Sequence, residues 1–227
     1  MMHALRIKLT TAWAVFRKDV QLELKDKHAI NTVFVFVSAA LLIVLFVVKA
    51  QRLPTESQAG LIWIIILFAA MSSLSRAFVL EADKQTYALL RLHANAFSVF
   101  MGKLLYNFLF TLIVNFTSIL AFIFLLGLSL HNGMAFLVSV ILGSSGLAGV
   151  STLLSALVAE ADRKGAIFSV LSIPLLVPLL LLVSNTTEAA MAIRNILSLN
   201  DVAALIGYTG VTMTAGLLLY DFVWDQE

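Results

Sequence analysis

The segment Ser75–Lys103, SRAFVLEADKQTYALLRLHANAFSVFMGK, is the longest polar interruption between the hydrophobic runs of this chain. It carries Arg76, Glu81, Asp83, Lys84, Arg91 and Lys103. Within it Tyr87, Leu90, Ala94 and Phe97 recur at spacings of three and four, so from Asp83 onward it reads as a short amphipathic helix. Such a helix, continuous with a hydrophobic run on each side, is suited either to passing force from a soluble partner or to resting on lipid. The residues alone favour neither.

The flanking runs set the class. Over 227 residues the chain is 61% hydrophobic and 12% charged, with mean hydropathy +0.99. Soluble domains carry about 25% charged residues, so this composition points to lipid. Ala29–Val48 holds no charged residue, and about 20 apolar residues span a bilayer. Six such runs follow one another, at about 29–48, 60–80, 104–127, 134–158, 166–184 and 202–220. With no sizeable soluble portion left over, the expected architecture is a single all-α polytopic membrane domain over 1–227 with six transmembrane helices.

Ahead of the first run, residues 3–27 place Leu5, Leu9, Ala12, Trp13, Phe16, Val20 and Leu24 on one helical stripe among Arg6, Lys8, Arg17, Lys18, Lys25 and Lys27. A basic amphipathic helix of this kind lies in the headgroup plane, with Trp13 at the interface; the plainer alternative is a charged flank that fixes topology. The N-terminus lacks an uninterrupted apolar core and a small-residue cleavage site, so it does not read as a signal peptide. Pro54 marks a turn after the first run.

The fourth run contains GSSGLAGVSTLLSA. Ser145, Gly149, Thr152 and Ala156 share one face, and Ser144, Ala148, Ser151 and Ser155 another. Small residues at these spacings let helix backbones approach closely, either within the chain or across a dimer. In the fifth run Pro174 and Pro178 each lack a backbone donor, which predicts a kink or break. Residues 185–200 read as a surface loop or a short helix dipping into the outer leaflet, and Asn200 or Asp201 as the cap of the last helix.

Charge sets the expected orientation. Placing both termini, the 76–103 segment and the turn 159–165 on one side collects 12 of the 15 lysines and arginines there. Only Lys49, Arg52 and Arg194 face the other way. The positive-inside rule then puts both ends and the opening segment in the cytoplasm.

Ionisable groups mark most sites of coupled transport, and the centres of these runs hold almost none. Asn107 and Asn115 are the most polar side chains of the third run and read as interhelical glue. A proton- or sodium-coupled carrier and an ion channel both lose support. His3, His28, His93 and His131 show no i, i+4 pairing, there is no cysteine, and no nucleophile motif is present. No metal and no enzyme activity are expected. Gly102-Lys103 lacks the rest of a Walker A sequence, so any ATP hydrolysis belongs to a separate polypeptide.

Three stretches carry a resemblance: KDVQLELKDKHAINTVFVF; WIIILFAAMSSLSRAFVLEADKQTYALLRL followed by GKLLYNFL; and ADRKGAIFSVLSIPLLVPLLLLVS. In these, over nearly the whole length, the chain resembles the CcmB family, membrane subunits of the cytochrome c maturation ABC system with the fold of ABC-2 type permeases. The charged turn before a double-proline span is the most specific of the three. The resemblance implies that Glu81–Phe97 is the coupling helix that docks on the ATPase, with Glu81, Asp83, Lys84, Thr86, Tyr87, Leu90 and Phe97 as contacts. It also implies an interfacial entry helix at 3–27 and outer re-entrant turns at 185–200. Where members often carry a glycine and then a proline around this helix, the chain has Gln85 and Ala94, so the resemblance leaves the helix ends unset. The implied assembly is a permease homodimer in the lipid of the bacterial inner membrane, with a CcmA-like ATPase and with CcmC-, CcmD- and CcmE-like proteins. This chain itself would bind no cofactor: ATP would be used by the partner, haem handled by the complex, and nucleic acid not involved. Export of a lipid-linked glycan or drug by a related permease, and a non-transporting scaffold, are the alternatives.

Overall fold

A computed structural model describes residues 2–48, 53–74, 90, 92–128, 130–158, 164–192 and 198–225, and among these it contains helices and no strand. The helices are α1 Met2–Asp26, α2 His28–Val48, α3 Thr55–Leu74, α4 Ala96–Leu126, α5 Gly133–Val158, α6 Lys164–Met191 and α7 Leu199–Asp225. Among the described residues five segments are long and apolar enough to cross a membrane: Ile30–Val47, Ala96–Leu125, Gly133–Val158, Val170–Met191 and Leu199–Phe222. The apolar part of α3, Thr55–Met71, is shorter. The chain is a multi-pass helical membrane protein.

The small-residue helix α5 is the axis of the bundle, buried along most of its length and packed on α3, α4, α6 and α7. Its glycines explain the position. A Cβ added at Gly143 would lie 2.3 Å from the Trp63 ring of α3 and 2.5 Å from Val183 of α6; one at Gly149 would lie 3.1 Å from Thr212 Oγ1 of α7. Each glycine admits a different neighbour, because lipid supplies no hydrophobic drive and close backbone approach must replace it. Trp63 is fixed from its other edge, its Nε1 donating to Thr187 Oγ1 at 2.8 Å. Gly143→Leu is therefore expected to displace the indole, break that hydrogen bond and cost about 3 kcal/mol or more. Gly210→Leu, where no atom lies within 4 Å of the added Cβ, should change the melting temperature little. Equal melting temperatures for the two variants in detergent would refute this account.

Several boundaries differ from the sequence-based expectation. The third run begins not at 104 but at Ala96, so Lys103 lies inside α4 rather than before it. The fifth is not broken at its prolines: α6 continues through Pro174 and Pro178 and on to Met191. Both prolines face outward, and a membrane helix keeps its course at proline where a neighbouring helix supplies hydrogen bonds: here Tyr208 of α7 donates its hydroxyl to the Leu175 carbonyl between the two prolines. Residues 185–191, expected as a loop or separate short helix, are thus the last turns of α6, while 193–197 lie outside the described residues. The start of α7 is also earlier, since Val202 N donates to Ser198 O at 3.2 Å and Asn200 and Asp201 fall in the first turn. Asp201 there complements the positive end of the helix.

At the far end of the bundle, α4 stops at Gly127, whose φ of 66° suits a residue without a Cβ. The turn to α5 then reaches across to the end of α6. Asn132 N donates to Ala190 O at 3.0 Å, and His131 Nδ1 lies 2.7 Å from Met191 O. A carbonyl only accepts, so His131 carries its proton on Nδ1. Two of the terminal carbonyls that a helix leaves without intrahelical partners are satisfied in this way.

Candidate partner-coupling junction

Of the residues expected to contact an ATPase, Glu81, Asp83, Lys84, Thr86 and Tyr87 lie outside the described residues, as does most of 75–91. Leu90 and Phe97 are described, and they do not belong to one helix. Ala94 N donates to Leu90 O at 2.9 Å, after which Asn95 turns extended (φ −99°, ψ 160°) and its side chain accepts from Ser98 N at 2.8 Å. Asparagine competes for the backbone in this way and starts a new helix as its N-cap. The expected helix Glu81–Phe97 is thus cut at Ala94–Asn95, and Phe97 stands in the first turn of α4.

Leu90 and Ala94 pack on a buried cluster that includes Val15 of α1, Val99, Phe100 and Leu104 of α4, Ala148 and Ala156 of α5, and Tyr220 of α7, so it joins four helices at the near end of the bundle. The end of α7 enters through aromatic contacts, Phe100 to Tyr220 at 5.8 Å and Tyr220 to Trp224 at 5.6 Å between ring centroids. Gly216 makes room for the Phe100 ring, which lies 2.5 Å from a Cβ placed there.

Helix α1 is another component, and its packing corrects the single apolar stripe expected of it. Trp13, Leu9 and Leu24 are exposed, at 59%, 55% and 60%, whereas Ala12 and Val15 are buried. The face turned to α4 is the row Lys8, Ala12, Val15, Asp19 and Glu23. Along it the Lys8 carbonyl accepts from Ser98 Oγ at 2.9 Å, and Lys8 Nζ lies 5.7 Å from the Phe97 ring centre. Ala12 and Val15 sit over Gly102, Asp19 Oδ2 meets Lys103 Nζ at 3.4 Å, and Glu23 Oε2 accepts from the Tyr106 hydroxyl at 3.4 Å. The other oxygen of Glu23 accepts from Ile30 N at 3.0 Å, so the same carboxylate caps the first turn of α2. Lys27, at φ 51°, makes the corner between α1 and α2. The outward face, with Trp13 and the exposed Arg17, suits the headgroup layer.

Lys103 is 1% exposed and Asp19 11% in their side chains. A buried ammonium is stable only when it is paired and hydrogen-bonded, which is the reason a lysine can stand inside α4. Sequence reasoning missed Asp19, Glu23, Val15 and Gly102. The signal was available in the i, i+4 spacing of Asp19 and Glu23 on a mostly basic helix.

Deeper in the bundle the amide of Asn107 donates to Thr152 Oγ1 at 2.7 Å, and that of Asn115 to Ser144 Oγ at 2.8 Å, tying α4 to α5. Thr152 and Gly149 thus face neighbouring helices of this chain, whereas half-buried Ser145 bonds back to Leu142 O at 2.8 Å. Among the described residues no three His, Cys, Asp or Glu side chains gather in a group that could hold a metal ion.

What this arrangement can do is mechanical. Leu90 rests on one buried cluster shared by α1, α4, α5 and α7, so a contact made at Leu90 bears on all four. The family model described as CcmB protein matches residues 10–222 of the chain. No curated protein matches it.

Proposed function

This chain belongs to the CcmB family, and on that premise we propose that it is the permease subunit through which a separate CcmA-like ATPase acts in the cytochrome c maturation ABC system. The observation that carries the reading is the packing of Leu90 on the cluster shared by α1, α4, α5 and α7. A partner bound to the segment before Leu90 would act on four helices at once, which fits an energy source outside the chain. In this reading the six crossings are completed by α3 with the residues that follow it, both termini face the cytoplasm, and two copies of the chain work with two ATPases in the bacterial inner membrane. ATP is bound and hydrolysed by the partner.

Haem is handled by the complex, with CcmC-, CcmD- and CcmE-like proteins, and hydrolysis serves release of the haem-loaded chaperone. His93 and His131 offer no axial pair to such a cargo. His93 and His131 flank α4, whose 31 residues put about 46 Å between its ends, and His131 already donates to Met191 O.

The test uses the full complex. Tyr87→Asp and Leu90→Asp are each expected to lower co-purification of the ATPase at least tenfold while the chain stays inserted. Tyr87→Asp serves where Leu90→Asp disturbs the junction itself. Wild-type recovery of the ATPase with an inserted Tyr87→Asp chain would defeat the coupling role, and normal cytochrome c maturation with a hydrolysis-dead ATPase would favour a scaffold.

A further inference from the structure

On α4, Asn107, Thr111, Asn115 and Ser118 recur at spacings of four, four and three, so they line one face, and all are fully buried. Opposite them α5 offers Ser144, Ser151, Thr152 and Ser155, also buried. The hydrogen bonds fix which way each amide points. Thr152 donates its single hydroxyl proton to Ala148 O at 2.6 Å, so it can only accept from Asn107, and the atom facing it must be Nδ2. For Asn115, the atom 3.2 Å from Thr111 O must likewise be Nδ2, since a carbonyl cannot donate. Both amide carbonyls are therefore turned away from these partners. Neither Oδ1 has a protein partner, nor has Ser118 Oγ one turn beyond Asn115.

A buried acceptor left without a donor costs about 1–3 kcal/mol, and such groups are ordinarily satisfied by protein or by ordered water. The ligand must be a donor. A hard cation would need about six oxygens around one point, but the two carbonyls stand eight residues, about 12 Å, apart along α4. Asn115 Oδ1 and Ser118 Oγ, by contrast, are neighbours on adjacent turns, which suits one small molecule that both donates and accepts. We propose that the α4–α5 seam binds ordered water at two levels of the bundle, one at Asn107 Oδ1 and one bridging Asn115 Oδ1 and Ser118 Oγ. The inference is independent of the proposed role in coupling.

Water-edited solid-state NMR of the full chain in lipid bilayers, labelled with 15N at asparagine and tryptophan, tests it. The side-chain amide signals of Asn107 and Asn115 are assigned by their loss in Asn107→Ser and Asn115→Ser, or in the glutamine variants if either serine variant fails to fold. Both signals are expected to gain intensity from the water pool at a rate within about twofold of the exposed Asn132 amide, as bound water exchanging hydrogen bonds requires. Build-up as slow as that of the buried Trp63 indole, at either level, overturns the proposal at that level.

Discussion

Asp19→Leu is expected to destabilise the chain, by up to about 3–5 kcal/mol, because it removes a carboxylate partner of an ammonium that is 1% exposed. The reverse change should be milder. In Lys103→Leu the remaining carboxylate keeps Lys18, 3.3 Å away and 41% exposed, beside it. The double variant Asp19→Leu/Lys103→Leu should recover most of the loss, since a buried ion pair replaced by packed apolar side chains is often neutral. Melting temperature and monodisperse yield in mild detergent measure all three. A double variant no better than Asp19→Leu would show that Lys103 is held by something other than this pair.

Gly102→Leu is expected to lift α1 from α4. The new Cβ would meet Ala12 O at 2.7 Å and Val15 Cβ at 2.7 Å, and a backbone carbonyl cannot rotate aside as a flexible side chain would. Overpacking of this kind costs about 1–3 kcal/mol, so the population with α1 open should rise roughly ten- to hundred-fold. Limited trypsin digestion reads the change directly, because Arg17 and Lys18 lie in the middle of α1. Gly207→Leu, with open space around its Cβ, should digest like the native chain. Unchanged cleavage of Gly102→Leu at those sites would mean that α1 accommodates the side chain in place.

Much of this architecture was legible because lipid constrains sequence so strongly. The run before Val158 and the amphipathic entry helix could be placed within a residue or two from apolar length and charge alone. The errors share a cause. The sequence shows what Lys103, Pro174 and Pro178 do to an isolated helix, whereas neighbours decide their fate: Asp19 pairs with the lysine, and Tyr208 donates to the turn between the prolines. The division of α1 into two faces was invisible for a related reason. Alanine, valine and two acids do not look like a buried seam until Gly102 is set against them. The break at Ala94–Asn95 was nearer to hand, since asparagine just ahead of an apolar run is a favoured N-cap.

The bonds from His131 and Asn132 to the last carbonyls of α6 acquire a different meaning beside the cluster at the opposite end. There a carboxylate, an ammonium and several rings meet through side chains, while here a turn is laced to a helix terminus partly through its backbone. The two ends therefore differ in kind: one joins helices through side chains that can repack, the other ties the turn before α5 to the last carbonyls of α6.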